Sequence, residues 1–346
     1  MEKISAPQRI QWIDFAKGFV MILVVVGHTL TKESGLNNFF SMFRMPFFFV
    51  MAGYLLNVEK WSGIKWQEFK IKLERRLMLP YFIANFAWYP IWFIVCYCFG
   101  FIEKHTFIEG EPLRLFISIF VGINDSFRTL PILGYLWFLP CLFFAEIIYM
   151  KLCRYFDNDK VLLVEISFLL GVAGYFFGLF LQLPLAFDTA LVAQFFILIG
   201  NFVRKYNLTG KLNFGVCMVL LALVTLSFLS NKFVDMNGRD YGNLILFYFG
   251  GISGSLLVIK ISMILANFSN KIFDLIKYCG VQSLAILILH MPILDIVHHV
   301  IKTIGEYNID NLPSEYNIFL IIFGVIIPVL IAKKFGDKPV IKYFCS

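Results

Sequence analysis

Apolar residues along this chain do not alternate singly with polar ones. They run in blocks of about twenty, the length an α-helix needs to cross a bilayer. Ten such blocks lie at roughly 12–30, 38–57, 78–100, 131–150, 161–180, 185–203, 212–230, 242–262, 280–300 and 316–333. The pattern predicts an all-α fold: a polytopic membrane helical bundle of about ten transmembrane helices. The longest polar connection, about 101–130, contains the apolar stretch LRLFISIFVG. That stretch is too short to span and predicts an interfacial or re-entrant helix. No block suggests an appended soluble domain, so residues 1–346 read as one integral-membrane domain.

Composition strengthens this picture. Hydrophobic residues make up 59% of the chain and charged ones 15%, with a mean hydropathy of +0.77; soluble domains carry about 25% charged residues. The net charge of +7 does not point to nucleic acid, because the basic residues gather at the ends of the apolar blocks. Counted by side, the connections sharing the N-terminal face hold about three times the Lys and Arg of those opposite. That bias predicts an N-in, C-in topology. The first block contains Asp14 and Lys17 with no small-residue cleavage site after it, so it reads as a helix rather than a signal peptide. The seven cysteines are scattered without CxxC or Cys/His ligand spacing, which predicts neither a disulfide framework nor a metal site.

Candidate chemistry begins in the first block, QWIDFAKGFVMILVVVGHTL, which carries Lys17 and His28. Ionisable groups are costly in lipid and are therefore functional-site candidates. Lys17 and His28 stand about three helical turns, or ~16 Å, apart on nearly one face. Asp14 falls close to the same stripe. An imidazole can take a proton from a hydroxyl near neutral pH, can hold an acyl group covalently, or can hydrogen-bond between helices. The spacing alone leaves these readings of His28 open. Asp14 can form a structural ion pair with Lys17 or serve catalysis. Glu146, near the end of the fourth block, is a buried-charge candidate without an assigned partner.

Further along, Arg44 in FRMPFF can stabilise an oxyanion, contact a substrate, or snorkel to the interface. His290 precedes Met291-Pro292, and proline-broken helices line cavities. Packing is the alternative for that residue. Trp137 in LWFL can stack on a sugar or cofactor ring, or belong to an interfacial aromatic belt. Lys72, Arg75 and Arg76 form a cationic group leading into the third block. It is either an anion site or an ordinary positive-inside segment.

Five pieces carry a resemblance: IDFAKGFVMILVVVGH, FRMPFFFVMAGYLL, KLERRLMLPYF, LWFLPCLFF and LILHMPIL. In this order they resemble acyltransferase family 3, whose signature is a basic residue and a histidine separated by ten residues on the first helix. Lys17 stands here where many members carry Arg. The chain is most similar to compact members such as fucose acetylase-like and enterobacterial-antigen or exopolysaccharide acyltransferases. The resemblance implies transfer of an acetyl or other short acyl group from acyl-CoA to a hydroxyl of an extracytoplasmic glycan or lipid-linked sugar. It implies a bacterial inner-membrane location, acetyl-CoA as co-substrate, membrane lipid and glycan as partners, and no metal or nucleic acid. A homodimer is compatible with it. His28 would be the general base, or be acylated, with Asp14, Arg44 and His290 near the chemistry. Lys17, Lys72, Arg75 and Arg76 would hold the coenzyme phosphates, and Trp137 the substrate. The family's RxxR motif corresponds here either to Lys72 with Arg75 or to the adjacent arginines. A secondary transporter is the alternative, since transporters also carry intramembrane charges and broken helices; the absence of repeat symmetry counts against it.

Overall fold

The structure, a computed structural model, describes residues 10–30, 34–99, 111–122, 134–156, 159–305 and 314–336. Helices in chain order are α1 (Gln11–Thr29), α2 (Gly35–Ser41), α3 (Arg44–Leu55), α4 (Val58–Ser62), α5 (Trp66–Leu73), α6 (Leu79–Phe99) and α7 (Glu111–Val121). They continue as α8 (Phe138–Phe156), α9 (Lys160–Phe180), α10 (Phe187–Val192), α11 (Gln194–Lys205) and α12 (Phe214–Asn231). The last four are α13 (Leu244–Leu265), α14 (Lys271–Val281), α15 (Ser283–Gly305) and α16 (Ser314–Phe335). A single isolated bridge, Asp235 with Asp240, is the only β pairing among the described residues.

Among the described residues, six helical segments are long and apolar enough to cross a membrane, or up to eight if two bent pairs each count as one span. The pairs are Pro184–Val192 with Gln194–Lys205, bent by 53°, and Lys271–Val281 with Ser283–His298, bent by 90°. The two remaining predicted blocks differ in kind. Block 38–57 is broken at Met42 and Phe43 into α2 and α3, the latter only 12 residues long. Block 78–100 is the 21-residue helix α6, which contains Pro90. The LRLFISIFVG stretch forms α7. It docks on α6 through Phe82, Phe86, Phe116 and Phe120, and Tyr81 of α6 donates to Ile119 O at 2.7 Å. The rest of that connection lies largely outside the described residues.

α1 runs through the middle of the bundle, packed against α14 and touching α3, α13, α15 and α16. Small residues let the backbones meet, as is general where lipid supplies no hydrophobic drive between helices. A Cβ on Gly18 would overlap Ile276 O, and one on Gly280 would overlap Asp14 O. α3 and α11 repeat the device through Gly53 and Gly200, whose Cβ atoms would overlap Ile197 O and Val50 O. Both central contacts are therefore closed to any larger side chain.

Candidate active site

His28 lies in the last turn of α1, where Thr29 Oγ1 donates to Val26 O at 3.0 Å. Its side chain is exposed. Among the described residues no hydrogen bond holds its ring. Facing it on α15 is His290, fully buried, with the two ring centroids 5.2 Å apart and tilted by 45°. The sequence around His290 explains how it is held. Pro292 sits inside α15 and has no N–H, so the carbonyl of Ile288, four residues earlier, loses its helical donor. The Tyr135 hydroxyl donates to that carbonyl at 2.5 Å. Tyr135 begins the 3₁₀ turn Tyr135–Trp137 that leads into α8, and its ring meets His290 edge-on at 5.0 Å.

The His290 imidazole is fixed in turn by its own helix. Nδ1 lies 2.8 Å from Ile286 O and 2.9 Å from Leu287 O. Carbonyl oxygens only accept, so Nδ1 carries the proton and donates. Nε2 is buried and has no hydrogen-bond partner among the described residues.

Arg44, the first residue of α3, joins the same cluster. Its Nη1 donates to Asn37 Oδ1 at 2.6 Å, and its guanidinium occupies the space that a Cβ on Gly27 would need. Gly27 is thus the gap that admits Arg44 beside His28. Arg44 acts electrostatically on His28, and Asp235 acts on Arg44. Asp235 belongs to the connection between α12 and α13. That segment is tied down by Val234 N donating to Ser41 Oγ (3.1 Å) and by a buried bidentate pair, Arg239 Nε to Asp188 Oδ2 (2.7 Å) and Nη2 to Oδ1 (3.0 Å).

A second cluster sits at the other end of α3. Ala52, Leu55 and Leu56 line a small cavity of about 50 Å³ with Trp61, Lys72, Arg76 and Glu146. Between α5 and α6 the helix widens into a π-turn, Glu74–Met78, which carries Arg75 and Arg76; π-turns change the direction of side chains that an α-helix would aim elsewhere. Arg76 pairs with Glu146 of α8, whose side chain is only 3% exposed. Lys72 Nζ lies 4.6 Å above the Trp61 ring. Partial burial, then the charges of Arg76 and Lys60, push its ammonium below the ordinary lysine range. Arg75 is exposed and makes no hydrogen bond or ion pair among the described residues. From Arg44 to Leu55 the axis of α3 rises ~16 Å, so one short helix separates the two clusters.

The structure therefore brings His28, His290 and Arg44 together, and Lys72 and Arg76 together. Asp14 and Lys17, both half-buried, lie toward the start of α1, with Asp14 about 21 Å along the axis from His28. Trp137 is half-buried and meets Phe138 edge-on at 6.1 Å; the residue of its motif that reaches His290 is Tyr135. Tyr135, Asn37, Gly27 and Asp235 were not legible as site residues. Only Pro292 signalled one of them, because an interior proline always orphans the carbonyl four residues back. Among the described residues no group of three or more His, Cys, Asp or Glu could hold a metal ion.

No curated protein and no solved structure matches the chain. A family defined as an acyltransferase domain matches residues 10–333, from the start of α1 to the last turn of α16 and across every element of both clusters. With that match over nearly its whole length, this helical membrane protein belongs to acyltransferase family 3.

Proposed function

We propose that the protein transfers a short acyl group, acetyl first, from cytoplasmic acyl-CoA to a hydroxyl of an extracytoplasmic glycan or lipid-linked sugar, in a bacterial inner membrane. The observation that carries this reading is the pairing of two unlike clusters at the ends of α3. One is an exposed imidazole beside a buried imidazole and a guanidinium. The other is a cationic pocket rimmed by Trp61. With the N-terminus inside, the cationic pocket faces the cytoplasm, where acyl-CoA is made.

Lys72, Arg75 and Arg76, with Lys17 on α1, attract the coenzyme phosphates, and Asp14 balances charge along that seam. The pantetheine arm extends between the clusters and presents the thioester to His28. His28 acts as general base on the sugar hydroxyl. Arg44 is positioned to stabilise the oxyanion of the tetrahedral intermediate, and Trp137 offers a face to the acceptor. Membership of an acyltransferase family counts against the transporter alternative.

The test is acetylation of surface glycan, read by mass spectrometry, in a deletion strain complemented with wild-type protein or with His28→Ala. Wild type should restore the modification and His28→Ala should not, at equal amounts in the membrane. Full acetylation by the variant would remove His28 from the chemistry.

A further inference from the structure

We propose that His290 is the positioning residue of the reaction: its Nε2 accepts a hydrogen bond from a ring N–H of His28, which turns the other ring nitrogen of His28 toward the acceptor hydroxyl. The inference rests on the acyl-transfer reading for its purpose, but on geometry for its substance. Two backbone carbonyls at 2.8 and 2.9 Å fix the proton of His290 on Nδ1. The remaining nitrogen of a neutral imidazole is an acceptor only. That atom is buried with no partner among the described residues, and a buried polar atom left unsatisfied costs roughly 1–3 kcal/mol.

Among the described residues two rings stand next to His290. Tyr135 has committed its hydroxyl to Ile288 O and offers His290 only its ring edge. His28 has a ring that no hydrogen bond holds, 5.2 Å away between centroids. At that separation, nitrogens turned toward each other come within hydrogen-bond distance, about 2.7–3.2 Å. A rotation of the exposed His28 side chain is enough to make the bond.

The consequence is a defined tautomer. A free imidazole divides its proton between two nitrogens, so part of the population presents N–H where a base is needed. With one N–H given to His290, the other nitrogen of His28 presents its lone pair outward. The acceptor O–H then gives its proton to that nitrogen while its oxygen bonds to the thioester carbonyl carbon. The C–S bond breaks with its electron pair on sulfur, and the thiolate takes the proton back from His28. While His28 is cationic, its inner N–H still donates to neutral His290.

The experiment is nitrogen NMR of ¹⁵N-histidine-labelled full-length protein in nanodiscs. The chain has 5 histidines, and His28→Gln identifies the His28 signals. In wild type the neutral His28 ring should show one tautomer, and His290 should show a protonated Nδ1 with a hydrogen-bonded Nε2. His290→Phe should leave His28 as an averaged mixture of tautomers, and His290→Gln, whose amide oxygen can take the place of Nε2, should restore a single one. With acetyl-CoA as donor and surface glycan as acceptor, kcat should fall about 100-fold in His290→Phe with KM for acetyl-CoA unchanged, and recover most of that loss in His290→Gln. Mixed His28 tautomers in wild type would overturn the proposal even if His290→Phe fails to fold, and so would identical His28 spectra in wild type and His290→Phe. A single tautomer in a protein without acyl-transfer activity would uphold the hydrogen bond and refute the proposed function instead.

Discussion

Arg75 and Arg76 are neighbours in sequence with opposite surroundings. Arg75 is exposed with no ion pair among the described residues, whereas Arg76 compensates a carboxylate that is almost wholly buried. A cation already committed to a carboxylate attracts an anionic ligand less than an uncommitted one. Arg75→Ala should therefore weaken acyl-CoA binding by titration calorimetry while leaving the melting temperature in nanodiscs within about a degree, as surface substitutions do. Arg76→Ala should instead lower stability, because Glu146 is left buried and uncompensated. The penalty for breaking a buried pair is ~3–5 kcal/mol, and the half-exposed guanidinium of Arg76 places this one at the lower end. Adding Glu146→Gln to Arg76→Ala should recover most of that loss. Equal melting of the single and double variants would mean that the loss does not come from an uncompensated Glu146. The sequence marked Glu146 as a charge needing a partner but could not name it, because Arg76 is 70 residues away. The π-turn that aims Arg76 at α8 leaves no signature in ERRLM.

At the scale of the element, α15 carries an interior proline and is tied at that point to the turn that leads into α8. The chain of cause runs from Pro292 to the orphaned Ile288 carbonyl, to the Tyr135 hydroxyl, to the Tyr135 ring against His290. Tyr135→Phe removes only the hydroxyl and should cost ~1–3 kcal/mol by leaving a buried carbonyl unpaired. Pro292→Ala returns an N–H to the helix and should make the same Tyr135→Phe change nearly harmless. A thermal-denaturation double-mutant cycle measures this directly. Additive losses would mean that Tyr135 stabilises α15 by some other route. Periodicity could find α15, because apolar runs report burial in lipid and core alike. It could not find the break at Met42 and Phe43 inside block 38–57, since FFSMFRMPFFF is apolar on both sides of it. The first residue after the break is Arg44, so the feature least visible in the pattern is the one that delivers the guanidinium to His28.

For the whole molecule, the decisive quantity is sidedness. Composition made the membrane class legible, and Lys and Arg counts gave an orientation, but both are averages over connections and neither ties a cluster to a face. The structure ties each cluster to one end of α3 and to the connection beside it. Lys232 is exposed at the start of the connection that carries Asp235 to Arg44, so it belongs with the His28 end of the bundle. Lys65 is exposed at the cap of α5, the helix that carries Lys72, so it belongs with the cationic pocket. If the pocket takes a cytoplasmic donor, these two lysines lie on opposite sides of the membrane. With the seven native cysteines replaced by serine, Lys232→Cys should react with a membrane-impermeant maleimide in intact spheroplasts. Lys65→Cys should react only after the membrane is opened. The reverse pattern would turn the cationic pocket away from the cytoplasm and remove its access to acyl-CoA. Labelling of both in intact spheroplasts would mean that α3 and its neighbours do not separate two compartments. Only the expected pattern opens the two clusters at the ends of α3 toward opposite compartments, and so gives a reason for one short helix to join a donor pocket to an acceptor site.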